Sequence, residues 1–83
     1  MTAAQGRILV VDDDAGIREL LELLLRREGY EVDLCVSAEE ALDRYAPGRY
    51  EVVLEDLRLP KADGIRLLRE VRGRDPEAVV VIM

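Results

Sequence analysis

Residues Glu51 to Gly64, EVVLEDLRLPKADG, decide how the rest of the chain is read. The apolar run Val52-Val53-Leu54 ends in two acids, Glu55 and Asp56. A turn region with Pro60 and Asp63-Gly64 then leads into a helical pattern. A short apolar run bounded by turn signals reads as a buried strand, and a strand followed at once by a helix belongs to a βαβ unit. Open α/β sheets place their ligands beyond the carboxyl ends of the strands. Asp56 stands at such an end and is the first candidate for chemistry.

Upstream of this stretch, Ile8 to Val11 reads as a first strand running into Asp12-Asp13-Asp14. From Ala15 to Glu28, Ile17, Leu20, Leu21, Leu24 and Leu25 keep helical spacing, and Gly29 supplies the stop. Glu31 to Val36 predicts a second strand. Ser37-Ala38-Glu39-Glu40 is a capping box opening a helix whose Ala38, Ala41, Leu42 and Tyr45 share one face. That helix stops before Pro47-Gly48, and Tyr50 to Asp56 forms the third strand. Downstream, Ile65, Leu67, Leu68 and Val71 mark a third helix ending near Gly73, and Ala78 to Met83 reads as a fourth strand.

Strands alternating with helices imply a parallel α/β sheet with right-handed crossovers. In the flavodoxin-like, doubly wound order 2-1-3-4, handedness puts the first helix on one face and the other two on the opposite face. Ala78 to Met83 is apolar at every position, the pattern of a strand buried on both faces. One helix cannot cover a four-stranded sheet, and such a strand makes an unprotected edge. Residues 1–83 therefore read as a single incomplete domain that leaves out later elements of the fold, and as a chain prone to self-association.

Composition narrows the chemistry. With 83 residues there is one small domain at most. A net charge of -6 argues against direct nucleic-acid binding or an anionic membrane surface. Met1 to Gly6 is polar and no apolar stretch approaches membrane-spanning length, so a cytoplasmic location is expected. Cys35, the only cysteine, reads as a small core residue. The absence of histidine excludes zinc sites and Ser/His or Cys/His catalysis within these residues. The only lysine is Lys61, and the only aliphatic hydroxyls are Thr2 and Ser37.

In the order 2-1-3-4 the first and third strands are neighbours, so Asp12, Asp13 and Asp56 converge at one sheet edge. Clustered carboxylates repel unless a cation binds or some are protonated. Oxygen-only ligands suit a hard ion, and a sparse set of acids with room for waters suits Mg²⁺ better than Ca²⁺. Helix N-termini at the same edge favour a phosphate. An Asp beside Mg²⁺ and amide donors can act as a nucleophile and become an aspartyl-phosphate. Blander roles apply nearby: Asp14 or Asp13 caps the first helix, Asp63-Gly64 is turn chemistry, and Glu55 is a solvated acid or a partner for Lys61.

ILVVDDD at the start, GYEV at Gly29 to Val32, SAEEAL at Ser37 to Leu42 and VVLEDLRLPKADG together resemble the receiver domain of bacterial two-component response regulators. The segment RLPKADG, with RLLREVRGRDPEAVVVIM after it, is similar to receivers of nitrogen-regulation-type transcription activators. The resemblance implies a signalling module, not a turnover enzyme. In it, Asp56 takes a phosphoryl group from a sensor histidine kinase, and an output domain follows in a longer parent protein. It implies that Asp12, Asp13 and Asp56 hold Mg²⁺, with Asp13 a direct ligand and the backbone carbonyl of Arg58 completing the protein ligands. Receivers also carry a Thr or Ser after the fourth strand and a Lys ending a fifth. Neither is among these residues, nor are the fifth strand and the last two helices, so truncation after the fourth strand is expected to impair phosphorylation. Glu55 departs from the apolar or small residue more usual there. Two other readings compete. Asp12-Asp13-Asp14 resembles the nucleophile loop of haloacid-dehalogenase-type phosphatases, although Ala15-Gly16 does not continue that motif. In a phosphorylation-independent interaction module the truncated sheet would pair with another chain.

Overall fold

The computed structural model describes residues 6–83; Thr2 lies outside the described residues. The chain runs β1 (Arg7–Val11), α1 (Ala15–Arg27), β2 (Glu31–Cys35), α2 (Ala38–Arg44), β3 (Val52–Glu55), α3 (Lys61–Arg74) and β4 (Val80–Ile82). The sheet order is β2-β1-β3-β4 and all pairings are parallel. Val11 stands opposite Cys35 on one side and Glu55 on the other, so β1 and β3 end level with each other. This is the doubly wound order expected from the alternating pattern.

Side-chain alternation along the strands divides the core in two. Leu9, Val11, Val53, Leu67 and Val71 pack with Ala38, Ala41, Leu42 and Tyr45 on the face covered by α2 and α3. Ile8, Val10 and Val32 pack with Leu21 and Leu25 of α1 on the other. On that second face α1 covers β1 and β2, while Val52 and Leu54 of β3 are only partly buried. α1 itself has no fully buried residue. Its Leu20, Leu23 and Leu24 are exposed.

Local chemistry sets the helix ends. Asp14 caps α1, its carboxylate accepting from the Ile17 amide at 3.1 Å. At the other end the Gly29 amide donates to the Arg26 carbonyl and the Tyr30 amide to the Leu25 carbonyl, a Schellman closure. It needs the positive φ of 95° that Gly29 adopts without strain. Ser37 accepts from the Glu40 amide at 3.2 Å, and Glu40 accepts from the Val36 amide at 3.5 Å, so the capping signal ahead of α2 is realised.

Three expectations are corrected. Asp63 and Gly64 are not a turn; they lie in the first turn of α3, where the Asp63 and Gly64 amides both donate to the Pro60 carbonyl. The helix starts early, at Lys61, with Pro60 as its N-cap residue and no capping side chain. β3, at Val52–Glu55, is shorter than Tyr50 to Asp56. β4, at Val80–Ile82, is shorter than Ala78 to Met83, and it is the unprotected edge expected, with Val79, Val81, Ile82 and Met83 all exposed. An apolar composition records what a strand can bury, not which neighbours are present.

Candidate functional site

The site follows from the level ends of β1 and β3. The Asp12 amide donates to the Cys35 carbonyl and the Asp56 amide to the Val11 carbonyl, so both acids are held at the ends of the ladder. Asp12 is buried, Asp56 is 6% exposed, and Asp13 is exposed at the surface. Carboxylate oxygens of Asp12, Asp13 and Asp56 lie within 4.8 Å of one another. The structure thus brings together the residues expected from the sequence. Asp14 is not among them, because its side chain is spent on the cap of α1.

Each buried acid is held from one side. The Asp14 amide donates to Asp12 Oδ1 at 2.9 Å, and Arg18 donates to the Asp12 carbonyl at 2.7 Å. The Arg58 amide donates to Asp56 Oδ1 at 2.9 Å and Arg58 Nε lies 3.4 Å from the same oxygen. Burial and the neighbouring Asp56 push the Asp12 carboxyl up, against the Asp14 amide. Burial also acts to raise Asp56, but the amide and guanidinium of Arg58 outweigh it and hold that carboxyl low. Asp56 is therefore the member of the pair whose carboxyl is held low, and Asp12 the one pushed up. Asp56 Oδ2 is buried and has no hydrogen-bond partner. A carboxylate oxygen left bare in a buried position calls for a cation or an electrophile.

A divalent oxygen-seeking ion fits this set. Mg²⁺ binds oxygens at about 2.1 Å in an octahedron, so opposite ligands stand about 4.2 Å apart. Three ligands cannot all be opposite and adjacent ones stand about 3.0 Å apart, so the carboxylate oxygens, within 4.8 Å of one another, would draw together around the ion. At Arg58 the structure shows the amide and the guanidinium turned to the acids.

Glu55 corrects the sequence expectation. It is neither solvated nor paired with Lys61: it is 2% exposed, and its Oε2 is a second buried oxygen without a partner. Alternation sends Glu55, like Val53, to the α3 side, under the first turn of that helix. A Cβ on residue 64 would lie 2.8 Å from Glu55 Oε1, so the glycine of ADG is what lets the acid fit. The sequence does carry a signal for this: an acid at a strand position, then a glycine inside the helix after it. Glu55 also floors a groove of about 360 Å³ lined by Leu57, Leu59, Ile65, Leu68 and Ile82.

Burial pushes the Glu55 carboxyl up to about 7 from its ordinary 4.5. A carboxyl raised in the folded state stabilises the fold fully below the unfolded value, and that contribution is lost as pH rises from 4.5 through 7. Such a shift corresponds to about 3 kcal/mol at most. Glu55→Gln, which stays neutral, is expected to remain flat over this window and to exceed the parent in stability above it. Urea unfolding of both proteins across the same pH window checks this; parallel profiles would rule out titration of a buried acid.

Fold and site together define a class: a flavodoxin-like α/β unit with an oxygen-only acidic centre where β1 and β3 end. Residues 8–83 match the response regulator receiver domain family, and the chain belongs to it. It is 37% identical over 78 residues to transcriptional regulatory protein ResD of Bacillus subtilis, covering 94% of this chain and 32% of that protein. It is 38% identical over 77 residues to response regulator MprA of Mycobacterium tuberculosis, covering 93% and 34%. Among solved structures, the response regulator TrrA of Thermotoga maritima with Mg(2+)-BeF matches with a TM-score of 0.82 and 39% identity, over 94% of this chain and 68% of that one. The beryllofluoride-activated NtrC receiver domain matches with a TM-score of 0.75 and 35% identity, over 100% and 65%. The chain thus spans about a third of the length of the curated relatives it matches. It is a response-regulator receiver module, and the dehalogenase-type reading falls with Asp14 acting as a helix cap.

Proposed function

We propose that Asp56 is the phosphoacceptor of a phosphorelay and that Asp12, Asp13, Asp56 and the Arg58 carbonyl hold Mg²⁺. The observation that carries this reading is Asp56 Oδ2, a buried oxygen without a hydrogen-bond partner, inside the acidic set. In the transfer, an Asp56 oxygen forms a bond to phosphorus as the bond from phosphorus to the donor nitrogen breaks. A bound Mg²⁺ would offset the charge of the carboxylates and of the incoming phosphoryl oxygens. The Arg58 amide holds the acceptor in place. The module acts as an acceptor in signalling and not as a turnover enzyme.

The donor we assign is a sensor histidine kinase. Support comes from TrrA, also solved in complex with the histidine kinase ThkA, which matches this chain with a TM-score of 0.82 and 40% identity. The relatives' names as transcriptional regulators support an output domain in the parent protein. A cytoplasmic location agrees with that role; among the described residues no helix is long and apolar enough to cross a membrane.

The reading is tested by calorimetric titration with Mg²⁺. Asp13→Ala and Asp56→Ala are each expected to weaken binding on the order of tenfold or more, since each removes a charged ligand from a small set of acids. Equal affinity in parent and both variants sinks the metal site.

Self-association belongs to the same proposal for the 83-residue chain. Exposed Val79 and Val81, at and beside the edge strand β4 and next to half-buried Val52 and Leu54, offer an apolar surface of the kind that finds a partner. Val81→Lys tests it, because Val81 is exposed whereas Val80 packs on the α2/α3 core. Sedimentation is expected to show assembly for the parent and a shift toward monomer for the variant. A parent that is monomeric at micromolar concentration contradicts the proposal.

A further inference from the structure

Arg58 enters the sequence reading only through its backbone carbonyl, yet its side chain lies across the acidic centre. Nε is 3.4 Å from Asp56 Oδ1 and a terminal nitrogen is 3.9 Å from Asp12 Oδ1. Asp12 and Asp56 are the buried members of the carboxylate set that would hold the metal. The guanidinium therefore supplies the positive charge that the converging acids lack in the metal-free protein. We propose that the Arg58 side chain is an internal counter-cation that Mg²⁺ must displace, so that this residue sets the metal affinity of the site. The proposal rests on the assignment of Mg²⁺ to Asp12, Asp13 and Asp56.

Three features make displacement the expected event. The side chain is 60% exposed, so it can swing into water without leaving a cavity. Its two ion-pair partners are the buried carboxylates themselves, which a divalent ion needs as ligands. A guanidinium held a few ångströms from a divalent cation would repel it, whichever atoms coordinate the metal. By contrast, the Arg58 amide can keep its bond to Asp56 Oδ1 while the side chain leaves, because Asp56 Oδ2 is the oxygen without a partner. One residue thus positions the acceptor through its backbone and guards the cation site through its side chain. Binding and displacement are reciprocal: whatever the arginine takes from Mg²⁺ affinity, Mg²⁺ takes from the arginine's hold on the acids.

Exposed ion pairs are weak, so the effect is bounded. Arg58→Ala and Arg58→Gln are expected to bind Mg²⁺ roughly three- to tenfold more tightly than the parent, with Arg58→Lys close to the parent. The gap is expected to shrink at high salt, where the exposed charge is screened. In the parent, the Arg58 Nε–H resonance is expected to shift and sharpen on Mg²⁺ addition, reporting release of the guanidinium; a purely structural role would leave it unchanged.

The experiment titrates the 83-residue protein, the three Arg58 variants and Asp13→Ala with MgCl₂ by calorimetry. Tighter binding by the Ala and Gln variants, with binding weakened about tenfold or more in Asp13→Ala, is the expected result. Equal or weaker binding by those variants, with Asp13→Ala still defective, overturns the counter-cation role and leaves the metal site standing. Binding unaffected by Asp13→Ala, or no binding by any variant, overturns the proposal together with the metal assignment.

Discussion

Asp56→Ala is expected to abolish phosphoryl uptake, a loss on the order of a thousandfold or more and the largest effect any single substitution here should have. Incubation with Mg²⁺ and a small acyl phosphate should add one phosphoryl mass to the parent and none to the variant. Proximity alone does not make the neighbouring acids substitutes. Asp12 is pushed toward its neutral form by burial and by Asp56, and its Oδ1 is tied to the Asp14 amide. Asp13 is exposed, where water competes for the donor. Only Asp56 joins burial, a carboxyl held low and a bare oxygen. Residual uptake by Asp56→Ala within about tenfold of the parent's rate would show that the acceptor lies elsewhere.

The second large effect concerns rate. The 83-residue chain is expected to take up phosphoryl groups at least about a hundredfold more slowly than a version extended by a receiver's fifth strand with its lysine, and by the hydroxyl residue after the fourth. Groups of that kind stabilise charge developing on the transferred phosphoryl, and these residues hold no equivalent. Lys61 lines the groove beside Glu55 and Asp56, yet among the described residues it makes no ion pair. Ser37 follows β2, at the edge of the sheet opposite β4, and its hydroxyl caps α2. Time courses of intact mass for the two lengths check the expectation. Equal rates would make the lysine and the hydroxyl dispensable.

The layers of the fold are legible in the sequence because two periodicities carry them. Short apolar runs mark each strand, and the helical spacing of Leu21 and Leu25, or of Leu67 and Val71, marks the faces that bury. The order 2-1-3-4 comes with the doubly wound pattern, and handedness then assigns each helix to a face and the order brings the acids together. What the sequence does not carry is partnership. β4 reads as doubly buried because its composition reports its capacity for burial, whereas exposure of Val81 and Ile82 depends on what lies beside them. Asp63-Gly64 has the composition of a turn, but the Pro60 carbonyl has already opened a helix.

The acidic centre divides in the same way. Asp12, Asp13 and Asp56 are readable because they sit at strand ends, where alternation and register leave little freedom. Glu55 escapes the sequence reading because an acid next to a site invites a solvated interpretation. Its burial depends on strand parity and on the Cβ that Gly64 lacks, two facts separated along the chain and joined only in three dimensions. The Arg58 side chain escapes it for a related reason. A backbone role can be inferred from motif position, while a flexible side chain lying across two carboxylates cannot.

The central claim, that Asp56 carries the phosphoryl group, is tested most directly by trapping the acyl phosphate. Borohydride reduction after Mg²⁺-dependent phosphorylation converts a phosphorylated aspartate to homoserine, and tandem mass spectrometry then locates it. Homoserine is expected at position 56 alone, present with Mg²⁺ and absent when the metal is chelated. Homoserine at position 12 or 13, or a phosphorylated chain with none at 56, would contradict the claim.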